Sequence, residues 1–212
     1  MFNFLDLKVT KEVMSVTNEM YHFGWNERNG GNISVLLNHD EEWRFVDCPT
    51  IRKFPLQIDA SELKGRLFLV TGTGKYFRHV IEDPLDSLGV VRISEDGRSC
   101  ELLQGFVGGG APTSEFSTHL LSHIARLKKD PKQRIVMHCH ATYTLAVSSI
   151  LPEDEDEITK ALWRVQTESI VVFPEGIGYV PWMICGGKEI GEATAKKALS
   201  YRAIIWGLHG IF

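Results

Sequence analysis

No stretch of this sequence is apolar for long enough to cross a bilayer. A membrane-spanning helix needs about 20 consecutive apolar residues, and the longest apolar runs, such as Ile170-Val171-Val172-Phe173, are far shorter. Cysteine is scarce and scattered. Cys48, Cys100, Cys139 and Cys185 form no C-x-x-C pair, which argues against a structural zinc cage and against a disulfide framework, so reduced thiols are the expectation. The N-terminus lacks the unbroken apolar core of a signal peptide, because Asp6, Lys8, Lys11 and Glu12 interrupt it; a cytoplasmic location is expected. Positive charge is not in excess: 23 Lys and Arg stand against 27 Asp and Glu, a net charge of -4, so nucleic acid is not the expected ligand. There is no internal repeat, no linker and no P-loop. The nearest string to a P-loop, Thr71-Gly72-Thr73-Gly74-Lys75, has the wrong spacing and continues into Tyr76, which excludes the usual nucleotide triphosphatase arrangement.

What is present suits one domain with a sizeable core: 212 residues, 43% of them hydrophobic. Val13, Val16, Met20 and Tyr21 fall at spacings of three and four, predicting an amphipathic helix over residues 10–21. Strand-like stretches follow at residues 33–37, 66–70 and 90–94, with residues 39–60 reading as an irregular insertion. A helix is expected to begin near Thr113 or Ser114 and to end before Pro131. Then come a β-branched stretch at 134–138, a helix at 142–149, a solvated acidic loop at 153–157 and a helix at 158–163. A strand at 169–173, a helix at 188–198 and a strand at 203–208 close the sequence. Strands and helices intermix without a period, which predicts a layered α/β fold.

The sharpest chemical signal is Val136-Met137-His138-Cys139-His140. In a strand, residues two apart point to one face, so both imidazoles can converge on one ion while Cys139 faces away. Catalytic zinc usually takes three protein ligands and keeps one position open. His209, at the end of the apolar strand before Gly210, is the candidate for the third. A lone H-x-H also arises by chance, so the pair needs this partner to carry weight. His119 and His123 lie four apart on a predicted helix, as in zincins, but no glutamate follows His119; both read as structural or supporting residues.

Three turn-rich segments could hold an oxyanion: residues 29–32, 71–75 and 108–114. Glycines allow backbone N–H groups to approach a phosphate, and hydroxyls and amides complete the hydrogen bonds. Taken alone, each is more simply a turn. The third is stronger because Thr113 and Ser114 are expected at a helix N-terminus, which favours an anion. Glu115 follows at once, either as a first-turn acid complementing the helix dipole or as a base beside the metal.

Together these strings identify a resemblance. The segments at 25–32, 71–75, 111–115, 137–142, 162–163, 171–174 and 206–210, in this order and across nearly the whole sequence, resemble the class II zinc aldolases of the aldolase, epimerase and adducin-head family. The wording at 29–32 and 112–115 favours the rhamnulose branch. The resemblance implies a mixed, mainly antiparallel central sheet between helical layers, in a class II aldolase-like three-layer fold. It implies one zinc ion per subunit held by His138, His140 and His209, with Glu115 as the base. Asn29, Asn32, Thr73, Gly74, Thr113 and Ser114 are expected to bind the phosphate of dihydroxyacetone phosphate. Glu168 matches an acid that the family supplies from a neighbouring subunit, in a homotetramer. The expected substrate is a phosphorylated ketose, cleaved to dihydroxyacetone phosphate and L-lactaldehyde. Fuculose-phosphate aldolases, pentose-phosphate 4-epimerases and non-catalytic adducin-like relatives are the competing members. Members continue beyond the third histidine into further helices, whereas this sequence ends at Phe212; the expectation is a single domain, residues 1–212, without them.

Overall fold

The computed structural model describes residues 2–212. Helix α1 (Lys8–His22) buries Val9, Val13 and Met20 along one stripe. Six strands build the main sheet: β1 (Asn32–Leu36), β2 (Arg52–Pro55), β3 (Leu67–Thr71), β4 (Leu88–Ile93), β5 (Ser99–Gly105) and β6 (Ile135–His138). Their order is β2-β5-β4-β3-β1-β6, and every pairing is antiparallel. Between the strands lie α2 (His39–Glu42), α3 (Pro84–Ser87) and α4 (Phe116–Leu127). After β6 come α5 (Thr142–Ile150), α6 (Glu155–Val165), α7 (Thr167–Val172) and α8 (Lys188–Ala198). A small second sheet consists of β7 (Gly178–Val180), β8 (Ile204–Trp206) and β9 (Gly210–Ile211), parallel between β7 and β8 and antiparallel between β8 and β9.

Strand alternation divides the main sheet between two helical layers. Ile33, Val35, Leu69 and Val90 join Phe4, Leu7, Val13 and Met20 on the α1 side. Leu36, Phe68, Val70, Val91 and Ile93 join Phe116 and Leu120 on the α4 side. Burying each such side chain contributes about 1.5–3 kcal/mol, so β1 and β3, buried at every position, anchor the sheet. Beyond α4, the residues Ala125, Val136, Ile190, Ala198 and Trp206 form a further cluster that seats α8 and the small sheet. The fold is the expected α/β arrangement of an antiparallel central sheet between helices, and among the described residues the parallel pairing of β7 with β8 lies in the small sheet.

Several local expectations need correction. Residues 169–173 lie mostly in α7 rather than in a strand. Val171 is 72% exposed, and a β-branched run becomes a strand only where a neighbour and a covering layer complete its pairing. The stretch at 39–60 is not wholly irregular: it holds α2, closed by an Asn38–Glu41 capping box, and β2 at the sheet edge. The acidic run opens α6, where Asp154 accepts a hydrogen bond from the Glu157 N–H. Acids are favoured there by the helix dipole. Helix α4 begins at Phe116, after Thr113 and Ser114.

Candidate active site

Strand β6 alternates exposed Ile135, buried Val136, exposed Met137 and buried His138, so the period of two delivers His138 to the interior. An isolated antiparallel bridge then ties the end of β6 to β9. The Cys139 N–H donates to the Ile211 carbonyl at 3.0 Å, and the Ile211 N–H returns to the Cys139 carbonyl at 2.9 Å. This bridge carries the turn between β8 and β9 up to β6, and the turn holds His209. Ring centroids lie 5.0 Å apart for His138 and His140, 4.9 Å for His138 and His209, and 5.0 Å for His140 and His209. One nitrogen of each ring lies within 4.8 Å of the others, a group that could hold a metal ion.

Hydrogen bonds fix which nitrogen each ring offers. His138 Nδ1 meets the Ile211 carbonyl at 2.9 Å; a carbonyl only accepts, so Nδ1 carries the proton and Nε2 the lone pair. That Nε2 is buried and has no hydrogen-bond partner. An orphaned, inward-facing lone pair beside two other imidazoles fits a cation, and metal-ligating histidines usually donate their other N–H in this way. His140 Nδ1 lies 2.6 Å from Glu27 Oε1, which leaves its Nε2 for the cluster. Burial, then the neighbouring His140 and His209, hold His138 well below the ordinary imidazole range. His209 is lowered by burial first, then by His140. Neutral rings are the form a metal requires.

Glu115 is the N-cap of α4, yet its side chain makes no capping bond. Its carboxylate turns inward instead, accepting a hydrogen bond from Asn32 Nδ2 at 2.8 Å. Oε2 also lies 3.9 Å from His138 Nε2. The side chain is thus not the first-turn acid of a simple dipole contact. Burial raises its proton affinity above the usual carboxylate range, opposed by the Asn32 bond and by His140, as suits a group that must take up a proton.

The three turn segments are knitted together around this carboxylate. The Thr73 N–H donates to Ala111 at 2.9 Å and the Thr113 N–H to Thr71 at 3.0 Å, while the Ile33 N–H donates to Thr71 Oγ1 at 3.0 Å. Gly31 has φ +80°, and a Cβ there would collide with the Asn26 side chain; only glycine adopts that conformation freely. Asn29, Thr73, Gly74 and Ser114 are exposed, whereas Asn32 and Thr113 are buried. One Asn32 N–H is committed to Glu115, and its oxygen to His119. Lys75 pairs with Asp86, in keeping with the absence of a P-loop lysine.

Glu168 stands exposed on α7 and lies outside the groups that converge on His209. Two neighbours of the site were not legible in the sequence. Glu27 orients His140 across most of the chain, and no local pattern marks that contact. Cys185 Sγ lies within 4.8 Å of ligand atoms of Glu115 and His209, brought there by the loop before α8.

The chain belongs to the Class II Aldolase and Adducin N-terminal domain family, whose model matches residues 11–212. A rhamnulose-1-phosphate aldolase of Listeria monocytogenes is 48% identical, over 98% of this chain and 77% of that protein. A rhamnulose-1-phosphate aldolase of Enterococcus faecalis is 46% identical, over 99% and 76%. Among solved structures, a sugar-phosphate aldolase from Thermotoga maritima superposes with a TM-score of 0.81 at 28% identity, over 96% of this chain and 83% of that one. The chain is accordingly an aldehyde-lyase of the class II aldolases, not a non-catalytic member of the family. Among the described residues, no helix is long and apolar enough to cross a membrane.

Proposed function

We propose that this chain is a zinc-dependent aldolase that reversibly cleaves L-rhamnulose 1-phosphate to dihydroxyacetone phosphate and L-lactaldehyde, in the cytoplasm. The observation that carries the chemistry is the buried Glu115 carboxylate, 3.9 Å from the unpartnered Nε2 of His138. The substrate assignment is supported by relatives at 48% and 46% identity that bear the rhamnulose-1-phosphate aldolase name.

In this reading His138, His140 and His209 hold one zinc ion per subunit. When bound, zinc supplies Lewis acidity toward the ketone carbonyl and stabilises the negative charge that develops there. In the direction of addition, Glu115 removes a proton from the hydroxyl-bearing carbon beside the ketone of dihydroxyacetone phosphate; in cleavage it returns that proton. Asn29, Asn32, Thr73, Gly74, Thr113 and Ser114 hold the phosphate, so that binding at one end of the substrate orients the reacting carbon at the other. No Schiff-base lysine is needed. Glu168 serves the aldehyde end of a neighbouring subunit's site in a homotetramer, with residues 1–212 acting as one domain.

The test is a cleavage assay with zinc-loaded protein on rhamnulose 1-phosphate, with fuculose 1-phosphate and ribulose 5-phosphate as comparison substrates. Rhamnulose 1-phosphate should give the highest kcat/KM. Glu115→Gln keeps shape but loses the base, so kcat should fall by about 100- to 10,000-fold while dihydroxyacetone phosphate still binds. Near wild-type turnover in this variant would place the base elsewhere.

A further inference from the structure

Helix α4 and strand β1 each present two polar side chains to one buried face. Asn32 and Ser34 are two apart on β1, and His119 and His123 are four apart on α4, so each pair shares a side of its element. All four are buried, and Ser34, His119 and His123 are fully sealed from solvent. The active-site chemistry proposed above uses Asn32 but leaves Ser34 and both histidines without a task.

Their hydrogen bonds form one chain that ends on Glu115. His123 Nε2 lies 2.8 Å from Ser34 Oγ, and Ser34 Oγ lies 2.8 Å from His119 Nδ1. His119 Nε2 meets Asn32 Oδ1, and Asn32 Nδ2 donates to Glu115 Oε2 at 2.8 Å. Donor chemistry gives the chain one direction. The Asn32 oxygen can only accept, so His119 carries its proton on Nε2 and accepts at Nδ1. Ser34 spends its single proton on that Nδ1, and therefore accepts from the Nε2–H of His123. The chain ends there, because His123 Nδ1 is buried without a partner. Reversal would set the bare Nε2 of His119 against the Asn32 carbonyl, or turn that carbonyl toward the Glu115 carboxylate. Both arrangements are repulsive.

The geometry points to His119, Ser34 and His123 as positioning residues of the reaction. Their one-way hydrogen-bond chain locks the Asn32 amide with its N–H toward Glu115 and keeps that carboxylate aimed at the substrate carbon beside His138. The inference rests on the reading of Glu115 as the base. A buried polar network is costly unless every member is satisfied, and apolar side chains would fill the same space with less penalty. This one is satisfied step by step up to the carboxylate, and its only loose end, His123 Nδ1, lies at the far terminus.

The experiment measures cleavage of rhamnulose 1-phosphate by Ser34→Ala, His119→Leu and His119→Gln, with metal content and melting temperature determined for each. Ser34→Ala should lower kcat about tenfold and His119→Leu about a hundredfold, with any rise in KM smaller than the fall in kcat, since Asn32 also belongs to the phosphate set, and with metal content unchanged. His119→Gln should recover most of the loss, because its carboxamide N–H can reach the position of the imidazole Nε2–H. A purely structural role would move the melting temperature without this rescue. In a Glu115→Gln background, Ser34→Ala should cost nothing further, since residues acting through one group are not additive.

Unchanged kcat in Ser34→Ala, a rise in KM alone, or an undiminished loss in the Glu115→Gln background overturns the proposal. Should His119→Leu fail to fold, Ser34→Ala and His119→Gln decide by the same criteria. Wild-type turnover in Glu115→Gln overturns the base assignment, and this proposal with it. An inactive Glu115→Gln beside a fully active Ser34→Ala overturns this proposal alone.

Discussion

Oε2 of Glu115 lies 3.9 Å from Nε2 of His138, and both side chains are buried. Burial strengthens every electrostatic interaction between them and whatever occupies the space beside them. It also disfavours charge on either one alone, which is why Glu115 is pushed up and His138 down.

The histidine cluster predicts metal content. Purified protein should carry about one divalent ion per chain, and His138→Ala should lose it. Glu27 touches His140 without joining the cluster. Glu27→Ala should therefore retain the site but weaken metal affinity about 10- to 100-fold, as read by competition with a chelator. Equal affinity in wild type and Glu27→Ala would remove Glu27 from this role.

Cysteine reactivity should be selective. Cys100 is buried and its thiol is pushed up to about 12, and burial raises Cys139 as well. Cys185 is exposed and lies beside Glu115 and His209. Iodoacetamide should label Cys185 ahead of those two thiols, since thiolate character and access govern the rate. Labelling should block cleavage by crowding the site. Cys185→Ser should resist inactivation, and an equal rate of loss in that variant would show that the sensitive thiol lies elsewhere.

Glu101 on β5 ties together the edge of the sheet. Lys53 on β2 lies at 2.7 Å and Arg92 on β4 at 2.8 Å, and hydrogen bonds from these two lower its pKa to about 2. A carboxylate depressed in the folded state stabilises above its unfolded pKa, and that contribution is lost as pH falls from about 4.5 toward about 2. Glu101→Gln should lower unfolding free energy by about 1 kcal/mol near neutral pH, a modest value because Lys53 is largely exposed. The difference from wild type in urea-unfolding midpoints should shrink steadily below about pH 4.5. A gap that stays constant down to about pH 2 would refute the assignment.

The shared-site reading of Glu168 makes a complementation prediction. Glu168→Ala and His138→Ala proteins should each be nearly inactive alone. Unfolded together and reassembled, about a quarter of interfaces would pair an intact histidine site with an intact Glu168, so activity should reappear. A mixture as inactive as its parents, beside wild type that refolds actively, would confine Glu168 to its own chain or to no role. Light scattering should first establish the oligomer size.

The histidine cluster was partly legible because strand periodicity is local. The period of two delivers His138 to the interior, whereas His140 lies two residues past the end of β6 and is held by its N–H to the Trp25 carbonyl at 2.8 Å rather than by a shared strand face. Helix α8 coincides with the expected span, and its buried residues Ile190, Gly191, Thr194 and Ala198 fall along one face. Residues 169–173 misled because β-branched composition alone does not create a neighbouring strand, and α7 finds none.

By itself, then, the sequence determined which side chains were available for chemistry, and which faces of individual strands and helices they would occupy. Tertiary structure alone decided what those side chains meet. The Cys139–Ile211 bridge brings His209 to His138, and the junction of β1 with α4 places Glu115, Asn32, His119 and Ser34 in one hydrogen-bonded line. Helix α4 also starts one residue after Glu115, which frees that carboxylate to turn inward. Contacts of this kind join residues far apart in sequence, and they are fixed by packing and by the need to pair every buried donor and acceptor. Neither constraint exists until the layers close.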